Sequence, residues 1–159
     1  MAHKIPIALA AMSLLPTAAI AQVTPHSQPP EAFKFLSAND VAALTSQPGP
    51  GPKTANLGDH ENYYVEFATR SDSGNKAEVH AHWSHYITIL SGQAALSYGG
   101  TVTDPTDTAP GQIRGSGITG GNTLTLHAGD YVQIPAGMPH MLNPAQGTRL
   151  HYVVFNTRQ

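Results

Sequence analysis

Gly74-Asn-Lys-Ala-Glu78-Val-His80-Ala-His82-Trp-Ser-His85-Tyr86-Ile-Thr-Ile-Leu-Ser-Gly92 is the stretch on which the reading of this chain turns. On an extended strand, residues i and i+2 project from one face, so His80 and His82 are expected to point together into one space, with Glu78 on the same face. A single inward histidine is usually satisfied by a backbone hydrogen bond. Burying two without a shared partner is costly, and two imidazoles aimed at one point make half of a metal site.

A second stretch supplies the other half. Gly129-Asp-Tyr-Val-Gln-Ile-Pro135-Ala-Gly137-Met-Pro-His140-Met-Leu-Asn143 runs through a proline and glycine turn directly into His140. Around both stretches, from Asn62 onward, short β-branched and aromatic runs are broken by Gly, Pro, Asn and Asp, the pattern of an all-β sandwich or barrel. Strands are expected over Tyr63 to Thr69, Ala77 to His82, Tyr86 to Leu90, Ala94 to Tyr98, Thr123 to Leu126, Tyr131 to Ile134, His140 to Leu142 and Leu150 to Asn156. The polar region from Gly99 to Gly121 reads as a long excursion between two halves of the barrel, either a lid or a surface insertion.

The two stretches resemble the two motifs of the cupin superfamily. Gly74, His80, His82, His85 and Gly92 follow the first motif, and Gly129, Pro135, Gly137, His140 and Asn143 the second. The insert around Tyr98-Gly-Gly-Thr101 and Gly111-Gln-Ile-Arg114-Gly resembles one found in small exported bacterial single-domain cupins of the type-2-like kind. The resemblance implies an all-β double-stranded β-helix (jelly-roll) barrel with His80, His82 and His140 as metal ligands at one end. The chain departs from the family's first motif in one place. Counting back from Gly92 puts His85 where a glutamate belongs, and only Trp83 and Ser84 separate it from His82. If His85 binds, the site has four neutral imidazoles; if the short turn aims it elsewhere, three histidines and water remain, with Tyr86 or Glu78 as catalytic helpers.

All-nitrogen ligation suits Zn, Fe, Cu, Ni or Co better than Mg or Ca, and one divalent transition metal, Fe, Zn, Cu, Mn or Ni, is expected. The chain has no cysteine, so thiolate ligands and a cysteine nucleophile are excluded. The metal cluster is expected to serve an enzyme of dioxygenase, decarboxylase, lyase or isomerase type, acting on a small enol, diketone, phenol or acid inside the barrel. The alternative is a non-catalytic periplasmic protein that binds a small molecule or a metal. His60, His127 and His151 have no motif position and read as surface or structural histidines.

The remaining sequence sets the context. Residues 1–21 place Lys4 ahead of an apolar run and end in Ala19-Ile20-Ala21, which reads as a signal peptide. The run from Ile5 to Leu15 is shorter than the roughly 20 residues a spanning helix needs. Export to the periplasm or medium is therefore expected, with no membrane contact after cleavage. Residues 22–58 read as an arm carrying a short helix capped by Ser37 and a Pro/Gly linker, and 59–159 as the barrel. A net charge of −2 with scattered Lys and Arg excludes a nucleic-acid partner. The family resemblance implies a homodimer paired through outer strands.

Overall fold

A computed structural model of the chain describes residues 33–46 and 52–159. The expected signal peptide and much of the Pro/Gly linker lie outside the described residues. The expected helix forms as α1 (Ala38–Thr45), and its start follows from local chemistry. The Ser37 hydroxyl accepts from the Asp40 amide at 3.2 Å, and the Asp40 carboxylate accepts from the Ser37 amide at 2.8 Å. These reciprocal bonds satisfy two amides that the first helical turn would otherwise leave unpaired.

The rest is antiparallel β-structure, with strands numbered in chain order. One sheet has the order β1 (Pro52–Asp59), β2 (Tyr63–Ser71), β13 (Arg149–Arg158), β4 (Trp83–Ser91) and β11 (Tyr131–Ile134). The second has the order β10 (Asn122–His127), β5 (Gln93–Tyr98), β12 (His140–Pro144), β3 (Ala77–His80), β8 (Gln112–Gly115) and β7 (Thr106–Ala109). A two-stranded ribbon pairs β6 (Thr101–Thr103) with β9 (Gly117–Thr119). The all-β jelly-roll expectation holds.

Alternation along each strand sorts residues to the inside. On β4 it buries His85, Ile87 and Ile89, and on β13 Leu150, Tyr152, Val154 and Asn156. These meet Leu96, Leu126 and Leu142 from the second sheet in one core. Each large aliphatic side chain buried there contributes about 1.5–3 kcal/mol. Apolar residues therefore hold the sheets together, and the inward polar residues gather separately.

The sequence-based boundaries shift in three places. The expected strand over Ala77 to His82 stops at His80, because the chain turns at Ala81 and His82 to cross from the second sheet to the first. The first sheet begins at Pro52, seven residues ahead of the boundary expected at 59, and β1 pairs with β2 along its length. Finally, the region from 99 to 121 is no free lid or insertion. It contains β6 to β9, and β8 pairs with β3 from Ala77↔Gly115 to His80↔Gln112.

Gly92 carries the return crossing from β4 to β5. Its φ is +89°, and a Cβ there would sit 2.2 Å from the backbone oxygen of Arg149. Left-handed strain and a clash with backbone add together, so Gly92→Ala is expected to destabilise the chain by about 1–3 kcal/mol. Urea denaturation measures this, and an unchanged midpoint would contradict the geometry.

Candidate metal centre

Both sheets contribute to the inward polar cluster. β3 supplies Glu78 and His80, which are two apart and share a face; β4 supplies His85 and β12 supplies His140. His140 lies directly opposite Glu78 in the β12–β3 register. Candidate ligand atoms of His80, His85 and His140 all lie within 4.8 Å of one another. The ring centroids are 4.6 Å apart for His80 and His85, and 5.2 Å for His85 and His140.

The hydrogen bonds decide which nitrogen each ring presents. His80 Nδ1 meets Oε1 of Gln112, His85 Nδ1 meets Oδ1 of Asn156, and His140 Nδ1 meets the Met138 carbonyl at 3.0 Å. All three acceptors are carbonyl oxygens without a proton, so each Nδ1 must be the donor. The Asn156 amide nitrogen is turned toward the Tyr64 carbonyl at 3.5 Å, which orients its oxygen to His85. In a neutral ring the lone pair is then left on Nε2. His85 is neutral: burial, reinforced by His140 and His80, pushes it down to about 3. Its Nε2 is buried without a protein hydrogen-bond partner.

Two of these supports are direct cross-strand neighbours, His80↔Gln112 and His85↔Asn156. Sheet register therefore builds the ligand and the group that orients it in one step, the arrangement that fixes imidazole tautomers in metal sites.

Glu78 closes the cluster. Its Oε2 lies 3.5 Å from His80 Nε2 and 3.7 Å from His140 Nε2. Two ligands each about 2.1 Å from a shared ion at a tetrahedral angle lie about 3.4 Å apart, so these spacings fit a common cation. Burial alone would raise the carboxyl, but hydrogen bonds from His140 and His80, which in the absence of an ion require a proton on Nε2, together with the Arg70 guanidinium outweigh it and hold Glu78 well below the usual range. Arg70 Nη2 donates to both Glu78 oxygens at 3.2 Å, and Arg70 Nε donates to the Tyr152 hydroxyl at 2.9 Å. Arg114, opposite Glu78 in the β3–β8 register, places Nε 3.8 Å from Oε1.

The structure corrects two sequence expectations. His82 does not join His80: it sits exposed in the turn, its ring against Gly111. Glu78, two residues before His80, occupies the shared face instead. Tyr86 follows His85 on β4 and so projects from the opposite face, where its hydroxyl accepts from Gln133 at 3.4 Å and its ring lies near Phe155. It cannot act at the cluster from there. His60 stacks on Tyr63 and exposed His127 lies beside Asp130, both away from the cluster.

Sequence reasoning missed Glu66, Arg70, Arg114 and Asn156, all of which line the cavity beside the histidines, and Gln112, which meets His80 Nδ1. Glu66 and Arg70 had one readable signal, the period-two series Tyr64, Glu66, Ala68, Arg70 on β2. Burial pushes the half-buried Glu66 carboxyl up and the Tyr64 hydroxyl up to about 12. The cavity holds about 200 Å³, below the roughly 300–1,000 Å³ of pockets for drug-sized ligands.

No family model matches the sequence, and no curated protein matches it. Solved structures do. A cupin superfamily protein from Desulfitobacterium hafniense aligns over 74% of this chain and 85% of its own at a TM-score of 0.51 and 13% identity. The chain has a cupin fold. A double-stranded β-helix protein from Klebsiella pneumoniae aligns over 79% of this chain and 90% of its own, with a TM-score of 0.57 and 15% identity. An oxalate oxidase in complex with the substrate analogue glycolate aligns at a TM-score of 0.54 and 17% identity, over 85% of this chain and 64% of the oxidase. This chain likewise spans 65% of a Schizosaccharomyces pombe cupin domain chain.

Proposed function

We propose that this cupin is a metal-dependent enzyme acting on a small organic molecule, of oxygenase, decarboxylase, lyase or isomerase type. The observation that carries the reading is the convergence of three imidazoles whose Nδ1 atoms are all committed to carbonyl oxygens, with His85 Nε2 buried and unpartnered. A buried acceptor without a donor is expensive, and a divalent cation satisfies all three lone pairs at once. His80, His85, His140 and Glu78 would hold it, a mixed nitrogen and oxygen set suited to a transition metal. When bound, the ion supplies Lewis acidity or redox chemistry.

The chain's own groups provide the rest. Gln112, Asn156 and Met138 hold the rings in register, and Arg70 fixes the Glu78 carboxylate. Ile87, Leu96, Leu142 and Val154 line the cavity and keep water away from much of its wall. Glu66, whose carboxyl keeps its proton more readily than an exposed one, is placed to hold or move a proton at its carboxylate oxygens. A cavity that adjoins the cluster supports catalysis over a closed structural site. Among the aligned proteins, the oxalate oxidase, a polyketide cyclase and a putative sugar phosphate isomerase differ in chemistry, so the shared fold does not select a reaction. Export to the periplasm or medium is part of the proposal and rests on residues 1–21.

The test is elemental analysis of chain purified without chelators or affinity metals. About one equivalent of transition metal is expected, and Gln112→Leu is expected to weaken its affinity about 10–100-fold by freeing the His80 ring. A chain that stays metal-free after reconstitution overturns the reading. Metal without turnover of any small acid, enol or phenol overturns its enzymatic part.

A further inference from the structure

We propose that the cavity beside the three histidines contains a carboxylate subsite formed by Arg70 and Arg114, so that this cupin's substrate is a small organic acid with a short apolar tail. The proposal deepens the metal-enzyme reading and rests on it for the ion's share of the charge.

Arg70 is 7% exposed, and its five N–H donors can be followed one by one. Nε is spent on Tyr152 and Nη2 on Glu78. Nη1 is buried with no hydrogen-bond partner. An unpaired buried donor on a charged group carries a desolvation cost that a hydrogen-bond acceptor would remove. Nothing in the proposed metal cluster uses Nη1, because Nη2 already orients Glu78.

Arg114 lines the same cavity. Its Nη1 donates to the Ile113 carbonyl at 3.0 Å, which pins the guanidinium, and its side chain stays one-third exposed. The two arginines thus border one space, one deep in the wall and one reachable from outside.

Charge then selects the sign of the ligand. Two guanidinium groups share the cavity lining with two carboxylates, Glu78 and Glu66. His85 is neutral. A divalent cation on the histidines adds two positive charges with no further carboxylate in the cavity lining to balance them. An anionic ligand restores the balance.

Shape selects the class. A guanidinium fork matches a planar carboxylate through paired N–H donors. The rest of the lining includes Ile87, Leu96, Leu142 and Val154, which offer contacts to an alkyl group and none to a second anionic group. Inorganic phosphate would leave those walls unused. The small volume limits the tail to a few carbons.

Calorimetric titration of the metal-loaded protein with butyrate, butyramide and inorganic phosphate tests this, using wild type, Arg114→Gln and Arg70→Lys, with the metal content of each measured. Butyrate is expected to bind roughly tenfold or more tightly than butyramide, as charge-assisted bonds imply. Each variant is expected to lose roughly tenfold in butyrate affinity, Arg70→Lys because it keeps the charge and loses the fork. Arg114→Gln, on a partly exposed side chain, is expected to keep its metal. Equal binding of butyrate and butyramide, no butyrate binding, or wild-type affinity in Arg114→Gln overturns the subsite. Tighter binding of phosphate than butyrate overturns the carboxylate assignment. If wild type takes up no metal, the metal reading fails by that measurement alone. The same titrations on metal-free chain then judge the subsite, with arginine-dependent butyrate binding upholding it and its absence overturning it.

Discussion

Replacing His85 with alanine is expected to strip the purified chain of stoichiometric metal, while replacing His82 leaves the metal in place. His85→Ala removes an Nε2 that is buried and has no protein partner, and it leaves Asn156 Oδ1 without its donor. His82→Ala removes an exposed ring in the turn between β3 and β4, resting on Gly111. Elemental analysis of both variants beside wild type gives the comparison. Their urea midpoints separate a lost ligand from a lost fold. Metal retained by His85→Ala and lost by His82→Ala would restore the adjacent HxH pair and refute the geometry of the cluster.

Arg70→Met is expected to destabilise the metal-free protein by about 3–5 kcal/mol, toward the lower end because Arg114 remains near Glu78. The pair is deeply placed, with side chains only 9% and 12% exposed, so the substitution leaves a carboxylate in the interior without its main partner. Arg70→Met combined with Glu78→Leu is expected to recover most of the loss, because no uncompensated charge remains. A single variant within about 0.5 kcal/mol of wild type in urea denaturation would show that Glu78 does not depend on Arg70.

Acid should act on the same cluster, and the sign follows from two groups. Glu78 is held below its ordinary value of 4.5, so its contribution is complete above that pH and is lost as pH falls through the folded value. His85 is held at about 3 against an ordinary 6.5, so the unfolded chain takes up a proton that the folded chain refuses, and stability falls between those values. Both effects run the same way. Metal-free protein should therefore have a lower urea midpoint at pH 4 than at pH 7.

Local sequence determined a good deal of this. Short β-branched and aromatic runs from Asn62 onward, broken by Gly, Pro, Asn and Asp, are enough for an all-β sandwich or barrel, because such residues suit a pleated, half-buried surface. Ser37 and Asp40 mark the start of α1 without help from the rest of the chain. His80 and His140 also stood out, one by its strand and one by the turn that leads into it.

Tertiary structure decided what alternation could not. The period-two rule pairs His80 with His82 only while the strand continues, and the crossing between sheets ends it at His80. The rule then applies backward, to Glu78. His85 reaches the cluster from the facing sheet, and its orienting partner Asn156 is 71 residues away. Gln112 lies 32 residues from His80, and Tyr152 lies 82 from Arg70. Such partners are chosen by strand register across the barrel, which depends on how every intervening turn closes, and no short window of sequence contains that information.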